Sequence, residues 1–115
     1  MSIGLIIPCF NDSENLNITV LKKIIKSYDN LKLCFVNNGG SDKNIKYLKK
    51  LQNKYHKNVS VIDMKKIKGK NSAIKAGSRF LYSINKVQNV GCIDLNTSKT
   101  YSEIKHIIEN LKMEE

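Results

Sequence analysis

The chain alternates between two hydrophobic periods. Ile3 to Pro8 reads IGLIIP, a short apolar run stopped by proline, as expected for a strand buried on both faces. From Asn15 to Tyr28 the apolar positions are Leu16, Val20, Leu21, Ile24, Ile25 and Tyr28, one helical face with Asp12 or Ser13 as N-cap. LKLCFV, Leu31 to Val36, predicts a second strand. Ile45, Leu48, Leu51 and Tyr55 then line one side of a helix capped near Ser41 or Asp42. NVSVIDM, Asn58 to Met64, alternates as a half-buried strand does. Ala73, Ala76, Gly77, Phe80, Leu81 and Ile84 mark a third helix, and VGCIDL, Val90 to Leu95, a fourth strand. Ile104, Ile107, Ile108 and Leu111 close the series, with Thr100 and Glu103 at capping-box spacing.

Strand and helix thus alternate four times with short connections. That pattern predicts an α/β fold: a Rossmann-like three-layer sandwich with a four-stranded, mainly parallel sheet, helices on both faces and right-handed crossovers. The expected strand order is 3-2-1-4. With 115 residues, no internal repeat and no linker composition, residues 1–115 read as a single domain. That length is short for a complete enzyme acting on a large substrate. No apolar run approaches the roughly 18 residues of a membrane span. The opening MSIGLIIPCF lacks a basic leader and a small-residue cleavage site, so the expected location is the cytoplasm.

Charge changes this picture little. The formal net charge is +10, nearly all of it lysine, with Arg79 the only arginine. A polyanion would be drawn to such a surface. Nucleic-acid binders usually add arginines and exposed aromatic residues, and here the tyrosines are scattered, so solvated lysine faces are the expectation and nucleic acid is not. Cys9, Cys34 and Cys92 are odd in number and show no CxxC spacing, which argues against a disulfide framework and favours buried thiols. His56 and His106 lie on expected helices without companion ligands.

In open parallel sheets, ligands bind beyond the carboxyl ends of the strands. The segments there are PCFND (Pro8 to Asp12), NNGGSD (Asn37 to Asp42), KKIKGKN (Lys65 to Asn71) and DLNTS (Asp94 to Ser98). All are polar and several carry glycine or lysine, residues that also serve ordinary turns. In the third, backbone N–H groups with Lys68 or Lys70 could meet a phosphate at a helix start. Neither GxGxxG nor GxxxxGK[ST] occurs, which argues against a dinucleotide Rossmann domain and a P-loop.

Taken together, these segments resemble the nucleotide-binding half of a family 2 glycosyltransferase of the GT-A fold. IIPCFND follows the family's P-x-Y/F-N-E, with Asp12 for glutamate. FVNNGGSD follows V-D-D-G-S-x-D, with Asn37 and Asn38 in place of both aspartates. KIKGKNSAIKAG follows N-x-G-K-x-x-A-x-x-x-G through Gly69, Lys70, Ala73 and Gly77. CIDLNTSKTYSEI stands where D-x-D is expected. The resemblance implies a UDP- or GDP-linked sugar donor. Pro8, Asn11, Asp12, Asn37, Asn38 and Gly39 would hold the nucleoside, and Lys70 would sit near the diphosphate. It also implies Mg²⁺ or Mn²⁺ on the leaving group, oxygen ligands suiting both. Only one carboxylate of D-x-D remains. Either Asp94 is the first, with Asn96 replacing the second, or Asp94 is the second and Cys92 replaces the first. Metal binding at Asp94 and Asn96 is expected to be weak or absent.

The family's acceptor half, with its catalytic base, has no counterpart in these residues, so the expectation is a truncated unit, incomplete or inactive alone for sugar transfer. The alternatives are a non-catalytic protein-interaction module that keeps the fold, a pseudoenzyme, and less favourably a basic nucleic-acid binder. The apolar surface an acceptor half would cover is expected to meet a second copy or another protein. Light scattering on the chain alone should therefore give a dimer mass at high concentration, and a strict monomer contradicts the homodimer.

Overall fold

The computed structural model describes residues 2–9, 18–38, 42–64, 69–93 and 101–113; for Ile18, Asn38, Asp42, Lys43, Asn44 and Lys70 it describes the backbone alone. The elements run β1 (Ile3–Cys9), α1 (Ile18–Ser27), β2 (Leu31–Asn38), α2 (Asp42–Lys54), β3 (Val59–Met64), α3 (Lys70–Ser83), β4 (Asn89–Cys92) and α4 (Tyr101–Met113). The strands form one four-stranded sheet in the order β3-β2-β1-β4, and every pairing is parallel. The α/β class read from the alternation of periods and the expected strand order 3-2-1-4 both agree with the structure.

A strand apolar at every position needs cover on both faces, and β1 is buried along its whole length. Ile3, Leu5, Ile7 and Cys9 point to one face. There they join Leu31, Leu33 and Phe35 of β2, Leu21, Ile24 and Ile25 of α1, Leu48 and Leu51 of α2, and Ile104 and Ile108 of α4. Ile6 points to the other face, where Cys34, Val36, Ala73, Leu81 and Val87 gather under α3. Each fully buried aliphatic side chain contributes about 1.5–3 kcal/mol. A Cβ at Gly77 would stand 2.8 Å from Ile6 Cγ2, so the missing side chain lets α3 lie directly on the centre of the sheet. On the opposite layer α1 and α4 are joined by the Tyr28 hydroxyl, which donates to Glu109 Oε1 at 2.8 Å.

Three boundaries differ from the sequence expectation. β1 continues through Pro8 to Cys9. Ile6 presents its carbonyl to the β4 side, accepting from Ile93 N–H at 2.9 Å. Pro8 has the same parity, so its missing N–H also faces that side, where pairing with β4 has ended at Cys92. No ladder bond is lost, and proline is tolerated. β2 runs two residues beyond Val36, because Asn37 and Asn38 pair with Asp63 and Met64 of β3. β4 is shorter at its carboxyl end than expected and stops at Cys92; Asp94 and Leu95 lie outside the described residues. The expected first turn of the first helix and the Thr100 cap also fall outside them.

Two of the three thiols are buried as expected, and burial pushes Cys9 and Cys34 up to about 12. Cys92 corrects the expectation: it closes an edge strand, where less packs over it, and it is exposed. Among the described residues no helix is long and apolar enough to cross a membrane. Alkylation of the native chain at about pH 8 should stop at Cys92, since a protonated, buried thiol is a poor nucleophile. Cys9 and Cys34 should react only after denaturation. Equal labelling of Cys34 and Cys92 in the native chain contradicts this packing.

Candidate functional site

Parallel pairing sets side chains of neighbouring strands in rows across the sheet. Ile7, Phe35 and Val61 form one such row on the face of α1 and α2. Two residues further along each strand, the next row on that face is Cys9, Asn37 and Asp63. It lies at the carboxyl ends of β1, β2 and β3, where the apolar core gives way to polar groups.

Asn37 is the polar centre of this row. It is 2% exposed, the one polar residue buried among the described residues. Its Nδ2 donates to Asp63 Oδ1 at 3.2 Å. A carboxylate oxygen only accepts, so the amide nitrogen has to face Asp63 and the carboxamide oxygen has to face away. That oxygen, Asn37 Oδ1, is buried and has no hydrogen-bond partner. Leaving such an acceptor unmatched costs about 1–3 kcal/mol. Buried polar atoms are usually matched by protein, water or a bound group.

The other sequence-derived candidates take different places. Pro8 is a buried strand residue opposite Val36 and has no polar side chain. Asn38 continues the β2 backbone opposite Met64. Lys70 opens α3 directly after Gly69, whose φ of 86° belongs to the region that glycine enters without strain. No acidic residue occupies the first turn of α3. Because α3 follows β3, that turn lies on the carboxyl side of the sheet. Asn11, Asp12, Gly39, Asp94 and Asn96 lie outside the described residues. The described residues bring no three His, Cys, Asp or Glu side chains together as a metal site. Asp63 is the residue that sequence reasoning missed. The signal was present: in VSVIDM it falls on the inward parity of Val59 and Val61, a charge where that face of the strand is otherwise apolar.

Two other features lead away from this end. A cavity of about 260 Å³ is lined by Ile3, Tyr28, Leu31, Ile108 and Lys112, at the amino ends of β1 and β2. The lysine surface is partly folded onto aromatic rings: Lys23 stands 4.5 Å from the Tyr101 ring centre and Lys112 5.5 Å from that of Tyr28. Tyr28, Tyr55 and Tyr101 pack against the core and are poor stacking platforms for bases.

The family model described as Glycosyl transferase family 2 matches residues 5–83, well over half of the chain, from β1 to the end of α3. A protein of Methanocaldococcus jannaschii, itself described as uncharacterized, is 28% identical over 109 residues. The alignment covers 93% of this chain and 45% of that protein, so the chain spans less than half of that relative's length.

Replacing Asn37 with leucine removes the unmatched oxygen and keeps the approximate shape. The exposed Asp63 needs no partner once water can reach it. Urea denaturation should therefore find Asn37→Leu at least as stable as the parent chain. A loss of several kcal/mol would show that the asparagine is kept for the fold.

Proposed function

The chain belongs to glycosyl transferase family 2, and we propose that these residues form a donor-binding unit for a nucleoside-diphosphate sugar, UDP- or GDP-linked. The observation that carries this reading is the buried, unmatched oxygen of Asn37 at the carboxyl end of the sheet. A base N–H is the kind of group that would satisfy it. In water the same oxygen would already be hydrogen-bonded, so burial without a partner makes the gain on binding larger.

The remaining candidates take roles around that contact. Asn11, Asp12 and Asn38 hold the nucleoside, with Gly39 leaving room for it and Pro8 fixing the strand from which the first loop departs. Lys70, at the start of α3, meets the diphosphate together with the helix N–H groups. A divalent cation, Mg²⁺ or Mn²⁺, would neutralise charge on the leaving diphosphate. Asp94 is its charged ligand and Asn96 a neutral one, so the cation is held weakly. No catalytic base is assigned among these residues, and sugar transfer is a property we attribute to the family rather than to this unit alone. Tyr82 and Ile84, 50% and 66% exposed at the end of α3, are available to a second copy or another protein. No disulfide joins the described cysteines, which suits a reducing cytoplasm.

Calorimetric titration with UDP and GDP, each with and without Mn²⁺, tests the reading. One nucleotide should bind, and Mn²⁺ should tighten it modestly. Asp94→Ala should remove the Mn²⁺ effect and leave metal-free binding unchanged. Absence of binding for both nucleotides contradicts the donor site and favours a protein-interaction module. A metal effect that survives Asp94→Ala contradicts that ligand alone.

A further inference from the structure

The positive charge of the chain is not spread evenly. α1 holds Lys22, Lys23 and Lys26 and no acidic residue, a net +3. α2 holds five lysines and a single acidic residue, Asp42, a net +4. These two helices therefore supply seven of the ten net positive charges. α4 packs on the same face of the sheet, yet its Lys105 and Lys112 are balanced by Glu103 and Glu109. A general preference for lysine would have loaded all three helices. Helix formation does not explain the pattern either. Lys22 and Lys26 stand four residues apart, as do Lys46, Lys50 and Lys54, and like charges at that spacing weaken a helix slightly.

The two helices turn their apolar sides to the sheet, so their lysines extend from one side of the molecule. A groove of about 140 Å³ is lined by Lys22 of α1 and by Tyr47, Lys50, Leu51 and Lys54 of α2. Lys26, Lys46 and Lys49 are exposed on the same helices. What this face lacks narrows its partner. Neither helix has an arginine, so the planar two-bond grip on a base edge or a carboxylate is missing. The groove is smaller than the roughly 300–1,000 Å³ of small-molecule pockets. Tyr47 is half-buried and presents no open ring for a base. Among the described residues the exposed large apolar side chains are Tyr82, Ile84 and Met113, at the ends of α3 and α4. The α1–α2 face therefore has no apolar anchor of the kind protein interfaces use, and lysine is depleted from such interfaces. A bilayer carrying anionic lipids asks only for a high density of cations.

We propose that the face formed by α1 and α2 docks on an anionic membrane surface, with its lysines against the lipid phosphates and one headgroup phosphate in the groove of Lys22, Lys50 and Lys54. The contact is peripheral and electrostatic, and it stands independently of the donor site.

Co-sedimentation of the chain with vesicles tests this, using phosphatidylcholine with phosphatidylserine and phosphatidylcholine alone. The parent should partition onto the phosphatidylserine vesicles at low salt, leave them at high salt and ignore phosphatidylcholine. Lys26→Gln combined with Lys50→Gln takes one exposed lysine from each helix. It should weaken partitioning roughly five-fold per lysine, about 25-fold for the pair. Lys75→Gln combined with Arg79→Gln removes the same charge from exposed positions of α3, on the opposite face. That variant should stay within about two-fold of the parent, since screening confines the attraction to the nearer charges. Circular dichroism checks that both variants keep the parent fold. No partitioning of the parent overturns the proposal. Equal weakening in the two variants shows attraction to net charge alone and overturns the assignment to this face. Partitioning onto phosphatidylcholine overturns its electrostatic basis. A single-stranded oligonucleotide that strips the parent from the vesicles at a lower phosphate concentration than the lipid supplies would make this a nucleic-acid surface and overturn the membrane as its partner.

Discussion

Strand β1 is hydrogen-bonded to a neighbour on each side and packed on both faces. Every residue from Ile3 to Cys9 is therefore committed to one register. A slip of one position would turn the Ile3, Leu5 and Ile7 face toward α3 and bring Gly4, Ile6 and Pro8 to α1 and α4. The same register fixes β2, and through it β3. The row of Cys9, Asn37 and Asp63 is thus set by packing several residues away from it. The polar end of the sheet inherits its geometry from the apolar middle.

That inheritance explains how a buried asparagine can persist with half its hydrogen bonding unmet. Asn37 sits on the face of Leu33 and Phe35, directly beyond Phe35, and the neighbouring strands hold it there. Its nitrogen finds Asp63, and its oxygen finds no partner in the protein. An acceptor left unmatched in that position costs about 1–3 kcal/mol. α3 reaches the same end of the sheet by a different constraint. Gly77 lets the helix lie against Ile6 and Val36, and Gly69 turns the chain into it. Two of the glycines that matched the family pattern therefore have physical tasks in bringing the start of α3 to the carboxyl ends of the strands.

Much of this was legible in the sequence, and the reasons are specific. Continuous apolar runs such as IGLIIP and helical stripes such as Leu21, Ile24 and Ile25 gave the elements and their order, because burial on both faces leaves no other pattern. Strand ends were harder. Proline at position 8 looked like a stop, and only the direction of its missing N–H, toward a side where β4 has ended, explains why the strand continues. Asn37 and Asn38 looked like a turn, and pairing with Asp63 and Met64 keeps them in the strand. Asp63 escaped notice because its meaning depends on which residue of β2 stands opposite, and register between strands is not written in either strand alone. The loop candidates Asn11, Asp12, Gly39, Asp94 and Asn96 lie outside the described residues, so for them the sequence remains the only guide.

The central claim is that the unmatched oxygen of Asn37 receives a nucleotide base. The most direct measurement is a two-dimensional ¹⁵N–¹H spectrum of the labelled chain, followed at the side-chain amide of Asn37 while GDP is added. The account predicts that the Asn37 Nδ2–H signals and the backbone signals of Asn37 and Asp63 move together and saturate with the nucleotide. Signals that stay fixed there while others move, at the amino-end cavity or on the lysine surface, would place any binding elsewhere and contradict the account.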